Sequence, residues 1–141
     1  MAEITPTQGW LADPDSFPLY PETTVTEFGS TLIVAPHPDD ETLGCGGAIA
    51  LLQKFGKLIQ VLVISDGTAS HPNSRQYPAE KLRLLRQNET LSALSTLGVD
   101  SSAITFLNLK DGAVPTPGKI EFEQAVADCQ AYLNTFKPET I

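Results

Sequence analysis

Cysteine is scarce in this sequence, and so are positive charges. The 2 cysteines among 141 residues, Cys45 and Cys129, form no C-x-x-C pair, so the sequence predicts neither a disulfide framework nor a cysteine zinc site. We expect both to be small hydrophobic residues of the interior. With 9 basic against 17 acidic residues, the net charge is -8, which repels phosphate backbones and anionic lipid. The composition therefore predicts no nucleic-acid partner.

Long apolar runs are also lacking. No stretch approaches the roughly 18 apolar residues of a membrane-spanning helix. The opening MAEITPTQGW has neither the basic region nor the apolar region of a secretory signal. We therefore expect no membrane span and a cytoplasmic protein.

Apolar runs and helical patterns alternate from residue 30 onwards. The sequence predicts strands at 31–35, 58–65 and 103–109, and helices at 42–55, 79–98 and 119–136. The first two strands are continuous, β-branched runs, as in parallel strands buried on both faces. This order predicts an α/β fold with a Rossmann-like, doubly wound parallel sheet.

Two helices carry apolar positions that predict their inward faces. In the second helix these are Leu84, Leu85, Leu91, Leu94 and Leu97; in the third they are Phe122, Val126, Cys129, Leu133 and Phe136.

The two ends of the sequence differ from this pattern. Residues 1–29 are polar and rich in proline, and we expect an irregular arm whose Trp10, Phe17 and Tyr20 pack on the domain formed by 30–141. The last residues, KPETI, resemble the start of a fourth strand, although strands usually have about five residues or more. We expect the C-terminal part of the domain to be missing; the alternative is a small domain with a frayed tail. An unfinished sheet edge also predicts self-association as a homo-oligomer, or a strand taken from a partner.

The segment VAPHPDDETLGCGG, residues 34–47, follows the first strand directly. Ligands of open α/β sheets bind at the carboxyl ends of the strands, and the two prolines stiffen the loop around His37. Imidazole and carboxylate are normal zinc ligands, so His37 and Asp40 are predicted to converge on a zinc ion, with Fe²⁺ as an alternative. Asp39 is then free to act as general base on metal-bound water. The alternative is an acidic turn with helix-capping carboxylates and an incidental histidine.

Other residues of this segment have structural interpretations. Glu41 lies in the first turn of the helix, where a carboxylate complements the dipole and caps free N–H groups. We expect Gly44, Gly46 and Gly47 to allow a close crossing of helix and sheet.

The segment resembles the signature of the PIG-L/LmbE-like family of zinc-dependent N-deacetylases, which remove acetyl groups from N-acetylglucosamine-type substrates and related amides. SDGTASHPNSRQYP, RQNE, LGV and LKDGAV resemble further family blocks, so the similarity extends over about residues 31–141. It implies metal ligation by His37 and Asp40, Asp39 as base, and Arg86 and Asp111 contacting the substrate or bracing the site. The family's third metal ligand comes from a later HPDH-like block, which this sequence lacks.

Several of these residues also have purely structural interpretations. His71, in the long loop after the second strand, binds the substrate, substitutes as a metal ligand, or is an exposed loop histidine. Arg86 also suits an ion pair with Glu89 on the helix surface. Asp111, in KDG, and Asp66, in SDG, both suit turns.

We expect a metal-dependent hydrolase acting on a small N-acetylated sugar or glycoside. One rival is a dinucleotide-binding domain with Asp66 on a ribose. GCGG departs from G-x-G-x-x-G, however, and three carboxylates would repel a pyrophosphate at the helix start. A second rival is a catalytically incomplete fragment of a deacetylase.

Overall fold

The computed structural model describes residues 18–141. Within them, three strands alternate with three α-helices in the predicted order. The strands are β1 Thr31–Ala35, β2 Ile59–Ser65 and β3 Ile104–Leu109, and the helices are α1 Asp40–Lys54, α2 Ala79–Thr96 and α3 Ile120–Phe136. The α/β class is confirmed, and the predicted bounds lie within two residues of the observed ones.

The strands form one parallel sheet in the order β1-β2-β3, with Ile33 opposite Val61 and Val63 opposite Phe106. On the other side of β1, Thr140 forms a parallel bridge with Thr31, and its carbonyl accepts a hydrogen bond of 2.9 Å from the Leu32 N–H. The chain therefore moves outward from β1 to β3 and then returns to the far side of β1. The carboxyl end of β1 is thus the topological switch point of the sheet.

Helices cover both faces of the sheet, as in a doubly wound fold. On one face, Val61 and Val63 pack in the core with Ile49 and Leu52 of α1 and Leu94 of α2. On the other face, the Tyr132 hydroxyl of α3 lies 3.0 Å from the side-chain oxygen of Gln60, whose side chain points opposite to Val61. The connection through α3 runs from β3 back past β1, in the direction opposite to the connections through α1 and α2. A right-handed crossover therefore places α3 on the opposite face of the sheet.

The burial of β1 is only partly as predicted. Leu32 and Ala35 are fully buried, but Val34 is 42% exposed, so the prediction of burial on both faces is wrong there. Val34 lies on the face that carries α3, where the described residues give incomplete cover; the predicted stripe of α3 is itself only half-buried. Continuous apolar sequence indicates which residues can be buried, but neighbouring elements decide which of them are.

The predicted inward face of α2 is wrong in its first half. Leu84 and Leu85 are exposed, whereas Leu82, Thr90 and Leu94 are buried. With Arg86, the buried residues follow the four-residue spacing of one helix face. A prediction from apolar residues alone misses this face, because Arg86 and Thr90 on it are polar.

The arm predicted at 1–29 lies partly outside the described residues, including Trp10 and Phe17. Tyr20 is 73% exposed, so the prediction that it packs on the domain is wrong. Residues Glu22–Glu27 form a 3-10 helix whose Val25 is part of the core. The last part of the predicted arm therefore belongs to the packed structure.

Both cysteines are free and half-buried. No helix among residues 18–141 is long and apolar enough to cross a membrane.

Candidate functional site

The turn from β1 to α1 brings His37 and Asp40 together. Asp40 Oδ2 accepts a hydrogen bond of 3.0 Å from the His37 backbone N–H and lies 3.2 Å from His37 Nδ1. Both side chains are about half-exposed. The bend is short because the Asp40 N–H returns to the His37 carbonyl at 3.2 Å, at the first residue of α1. An imidazole nitrogen and a carboxylate oxygen therefore face one point at the end of β1.

Asp111 approaches the other side of the same imidazole. It follows β3, its side chain is only 11% exposed, and its Oδ1 lies 3.4 Å from His37 Nε2. Its second oxygen accepts a hydrogen bond of 3.0 Å from the Ala69 N–H. Since Nε2 faces Asp111 and Nδ1 faces Asp40, the ring is held in one orientation.

Asp66 fixes the backbone that carries Asp111. Asp66 Oδ1 accepts hydrogen bonds from the Thr68 N–H at 3.0 Å, the Thr68 hydroxyl at 2.7 Å and the Asp111 N–H at 3.0 Å. The bond to Thr68 is the turn interaction expected from SDG. Partial burial raises the pKa of Asp66, but these hydrogen bonds and the charge of Arg83 outweigh it, so the pKa lies below its usual value.

Asp39 faces a different partner from its neighbour Asp40. Its Oδ2 accepts a hydrogen bond of 2.6 Å from Arg86 Nη2, which also donates to the Pro38 carbonyl. The Asp39 backbone has a φ of 119°, a left-handed value that is rare outside glycine. This conformation turns the two adjacent carboxylates toward different partners.

Arg86 makes both contacts that the sequence suggested as alternatives. Its Nη1 donates to Glu89 Oε2 at 2.6 Å, as in the predicted helix-surface ion pair. The other end of the same guanidinium braces Asp39. The sequence does carry a signal for this inward position: a charged residue, Arg86, stands in line with the buried residues Leu82 and Thr90 at four-residue spacing.

His37, Asp39, Arg86 and Asp111 line a cleft of about 370 Å³ at the carboxyl edge of the sheet, whereas Asp40 is not among its lining residues. Its lining combines the β1–α1 turn and the loops after β2 and β3 with Arg86. The lining residues are His37, Pro38, Asp39, Gly67, Ala69, Ser70, Arg86 and Asp111.

His71 is not among the residues that line the cleft. It follows the 3-10 turn Thr68–Ser70, is exposed, and has its Nδ1 3.3 Å from the Ser70 hydroxyl. A role for His71 in substrate binding stays a prediction.

The predicted reason for the three glycines of α1 is wrong. A Cβ at Gly44 or Gly47 would meet no atom of residues 18–141 within 4 Å, and one at Gly46 would make ordinary contacts at 3.7 and 3.8 Å. The close approach occurs instead at Gly67, where a Cβ would lie 3.2 Å from the Pro38 ring.

The donor set for a metal ion is partial within residues 18–141. No group of three or more His, Cys, Asp or Glu side chains among them is arranged to hold a metal. His37 and Asp40 are a convergent pair of ligand types that zinc accepts. They fit a metal site as two of its ligands.

The sequence gives an incomplete account of two residues. The predicted capping of a free N–H by Glu41 is confirmed, since its carboxylate accepts from the Asp39 N–H at 3.0 Å, but the burial of Glu41, with 1% of the residue exposed, is not predicted. The sequence predicts a turn at Asp66, which also supports Asp111. The short spacing of Glu41 from Asp39 is a sequence signal for their contact. The contact of Asp66 with Asp111 joins residues 45 apart and leaves no local signal.

The fold and the cleft define an α/β protein with an imidazole and carboxylates gathered at the switch point of a parallel sheet, the position at which enzymes of this architecture bind small molecules. The family model described as "PIG-L: GlcNAc-PI de-N-acetylase" matches residues 32–141. The chain therefore belongs to the PIG-L family.

Relatives named as deacetylases support this assignment. The chain is 30% identical over 128 residues to a 1D-myo-inositol 2-acetamido-2-deoxy-alpha-D-glucopyranoside deacetylase of Mycobacterium sp. (strain KMS), covering 78% of this chain and 41% of the relative. The protein of the same name from strain JLS matches equally. The chain thus spans about two-fifths of the length of these relatives.

Solved structures share the fold. N,N'-diacetylchitobiose deacetylase from Pyrococcus horikoshii superposes with a TM-score of 0.68 at 25% identity, over 82% of this chain and 40% of that one. The 4-carboxy-2-hydroxymuconate hydratase GalB from Pseudomonas putida KT2440 has a TM-score of 0.62 at 23% identity, over 78% and 44%. The second likeness concerns the fold alone, since one architecture serves unrelated reactions.

Proposed function

We propose that the protein carrying this chain is a metal-dependent N-deacetylase that hydrolyses the acetamide of an N-acetylglucosamine-type sugar or glycoside. The observation that carries the proposal is the placement of His37 and Asp40 side by side, with Asp39 next to them in sequence but paired to Arg86. Family membership and the deacetylase relatives support the same reaction class.

In this mechanism, His37 and Asp40 would be two of the ligands of a zinc ion. When bound, zinc would supply Lewis acidity and lower the pKa of a water molecule. Asp39 accepts a proton from the attacking water as the water oxygen bonds to the acetamide carbon. The C–N bond then breaks, the proton passes to the leaving amine, and the products are acetate and the free amino sugar.

The remaining side chains of the cleft position these groups. Arg86 holds the Asp39 carboxylate at 2.6 Å, and Asp111 holds the far side of the His37 ring at 3.4 Å. Outer carboxylates of this kind fix the orientation of a ligating histidine. We also propose that Arg86, Asp111 and His71 contact the substrate.

The contacts of Asp66 favour a hydrolase over the dinucleotide-binding alternative. A ribose-binding carboxylate presents its oxygens to the ligand. Asp66 Oδ1 instead receives three hydrogen bonds from its own loop and from Asp111. The acidic start of α1 would in addition repel a pyrophosphate.

The experiment uses protein expressed from the whole reading frame, loaded with Zn²⁺ or Fe²⁺. Free amine is measured after incubation with N-acetylglucosamine, N,N'-diacetylchitobiose and N-acetylglucosaminyl-inositol, and thermal shifts are recorded with zinc and with NAD. We expect zinc to raise the Tm and at least one sugar to release amine. A metal-loaded, folded protein that releases none, and whose Tm rises only with NAD, would contradict the proposal.

A further inference from the structure

Glu41 is a carboxylate buried in an unusual setting. Only 1% of the residue is exposed, and its oxygens accept hydrogen bonds from the Asp39 N–H at 3.0 Å and from the Thr42 hydroxyl at 3.1 Å. Neither donor is a cation. Burying a carboxylate without a cationic partner is unfavourable, so these two hydrogen bonds are its compensation.

The backbone that Glu41 contacts is strained. Asp39 has φ 119° and ψ −27°, a region that non-glycine residues rarely enter. Such conformations persist only where surrounding contacts impose them. The Asp39 carbonyl also accepts from the N–H groups of Thr42 and Leu43, at 3.0 and 2.9 Å, which ties it to the first turn of α1.

The peptide joining Pro38 and Asp39 is held at both of its polar atoms. Its N–H donates to Glu41 Oε2, and its carbonyl accepts from Arg86 Nη2. With both ends bonded, the peptide plane cannot rotate. The same Arg86 nitrogen binds the Asp39 carboxylate, so backbone and side chain of Asp39 are fixed by one pair of residues.

Glu41 holds the Pro38–Asp39 peptide from outside the cleft. It lines a separate pocket of about 190 Å³ between α1 and α2, and it is not among the residues that line the cleft of His37 and Asp111. Asp39 and Arg86 line both spaces. Any effect of Glu41 on the reaction must therefore pass through residues shared by the two spaces, and among these it is Asp39 whose N–H donates a hydrogen bond to Glu41.

We propose that Glu41 is a positioning residue for Asp39: with Arg86 it clamps the Pro38–Asp39 peptide and holds the carboxylate of the proposed base in its working direction. The inference rests on the proposed function for its effect on catalysis. The clamp itself is a structural property that can be measured separately.

The test compares Glu41→Ala with Glu41→Gln. The glutamine oxygen can accept from the Asp39 N–H while its amide donates to the Thr42 hydroxyl, so this variant keeps the clamp and removes only the charge. We expect Glu41→Ala to lower kcat about 10- to 100-fold because the base is displaced, with KM within about twofold and zinc content unchanged. Glu41→Gln should stay within about threefold of the parent.

A second readout does not depend on turnover. In the ¹⁵N-labelled 141-residue chain, the Asp39 amide should exchange with solvent about five- to tenfold faster in Glu41→Ala, and at the parent rate in Glu41→Gln. Thr42→Val serves if Glu41→Ala does not fold. It removes the second hydrogen bond of Glu41 and should cause a smaller change in the same direction.

Three results would overturn the inference: parental kcat per folded molecule in Glu41→Ala, equal losses in the Ala and Gln variants, or loss of zinc as for a ligand. Unchanged Asp39 amide exchange in Thr42→Val would also overturn it if that variant replaces Glu41→Ala. A parent protein that deacetylates nothing contradicts the proposed function instead, and amide exchange still decides whether the clamp exists.

Discussion

At the scale of single residues, the site depends on two adjacent aspartates with different partners. Asp40 begins α1 and faces His37, whereas Asp39 adopts a left-handed backbone and faces Arg86. Two adjacent carboxylates in the same surroundings would repel each other, and nothing would distinguish their chemical roles. Here each has its own hydrogen-bond partner, which agrees with the separate roles that we propose for them, metal binding by Asp40 and proton transfer by Asp39.

The first prediction separates these roles in protein from the whole reading frame. Asp40→Ala should lose zinc, because it removes a proposed ligand. Asp39→Asn should keep zinc and lower kcat about 10²- to 10⁴-fold, because it removes the proposed base. Zinc content and amine release are measured on the same samples.

Asp128→Asn is the matched control, since Asp128 lies on α3 and bonds Gln124. It should behave as the parent in both assays. If Asp39→Asn loses zinc while Asp40→Ala retains it, the two roles are reversed.

At the scale of elements, the β1–α1 turn keeps its shape by packing against the loop after β2. Gly67, at φ 67°, lies where an added Cβ would be 3.2 Å from the Pro38 ring and 3.5 Å from Arg86 Cγ. Glycine is required there both by the backbone and by the approach of the turn. The glycines of α1 that face open space carry no such requirement.

The second prediction contrasts two glycine-to-alanine changes. Gly67→Ala should lower the Tm and weaken activity, since it strains the backbone and pushes Pro38 out of place. Gly44→Ala should stabilise the fold by about 0.4–1 kcal/mol, because alanine favours the helix and its Cβ meets no neighbour in the described part of the chain. Thermal or urea unfolding gives both values; a destabilised Gly44→Ala would mean that this face of α1 is covered in the protein.

At the scale of the whole molecule, contacts between loops join the strand ends into one site. Asp66 links the end of β2 to the loop after β3, and Asp111 carries that link to His37. On the opposite side of β1, Glu139 and Thr140 extend the sheet through their N–H groups to the Ser30 carbonyl, at 2.8 and 3.1 Å. Contacts between loops therefore hold the site together at the carboxyl edge of the sheet.

The third prediction concerns acid stability. Because the pKa of Asp66 is lower in the folded state than its usual 3.8, ionised Asp66 stabilises the fold above that value, and this contribution is lost as the pH falls through 3.8 and below. The free energy of unfolding of the parent should exceed that of Asp66→Asn at pH 6, and the difference should shrink at pH 3. Urea unfolding at the two pH values measures it.

Thr68→Val removes one of the three hydrogen bonds to Asp66 and should show a smaller version of the same pattern. A difference between parent and Asp66→Asn that is equal at both pH values would show that Asp66 acts through its shape and not its charge.

The sequence by itself determined the elements and the β1–α1 turn. Apolar runs, helical spacing and the order of segments give the parallel sheet, and His37 and Asp40 meet because they lie three residues apart at a strand end. These features are local, since propensity and turn geometry act over a few residues.

Only the tertiary structure decided the rest. Arg86, on α2, meets Asp39 across 47 residues, and Asp111 meets His37 across 74, because the loops after the three parallel strands and one face of α2 meet at the carboxyl edge of the sheet. Exposure followed the same rule: Val34, Leu84 and Leu85 are apolar, yet they lie where no described element covers them. An apolar side chain is buried only where another element packs over it, and the tertiary structure decides where that happens.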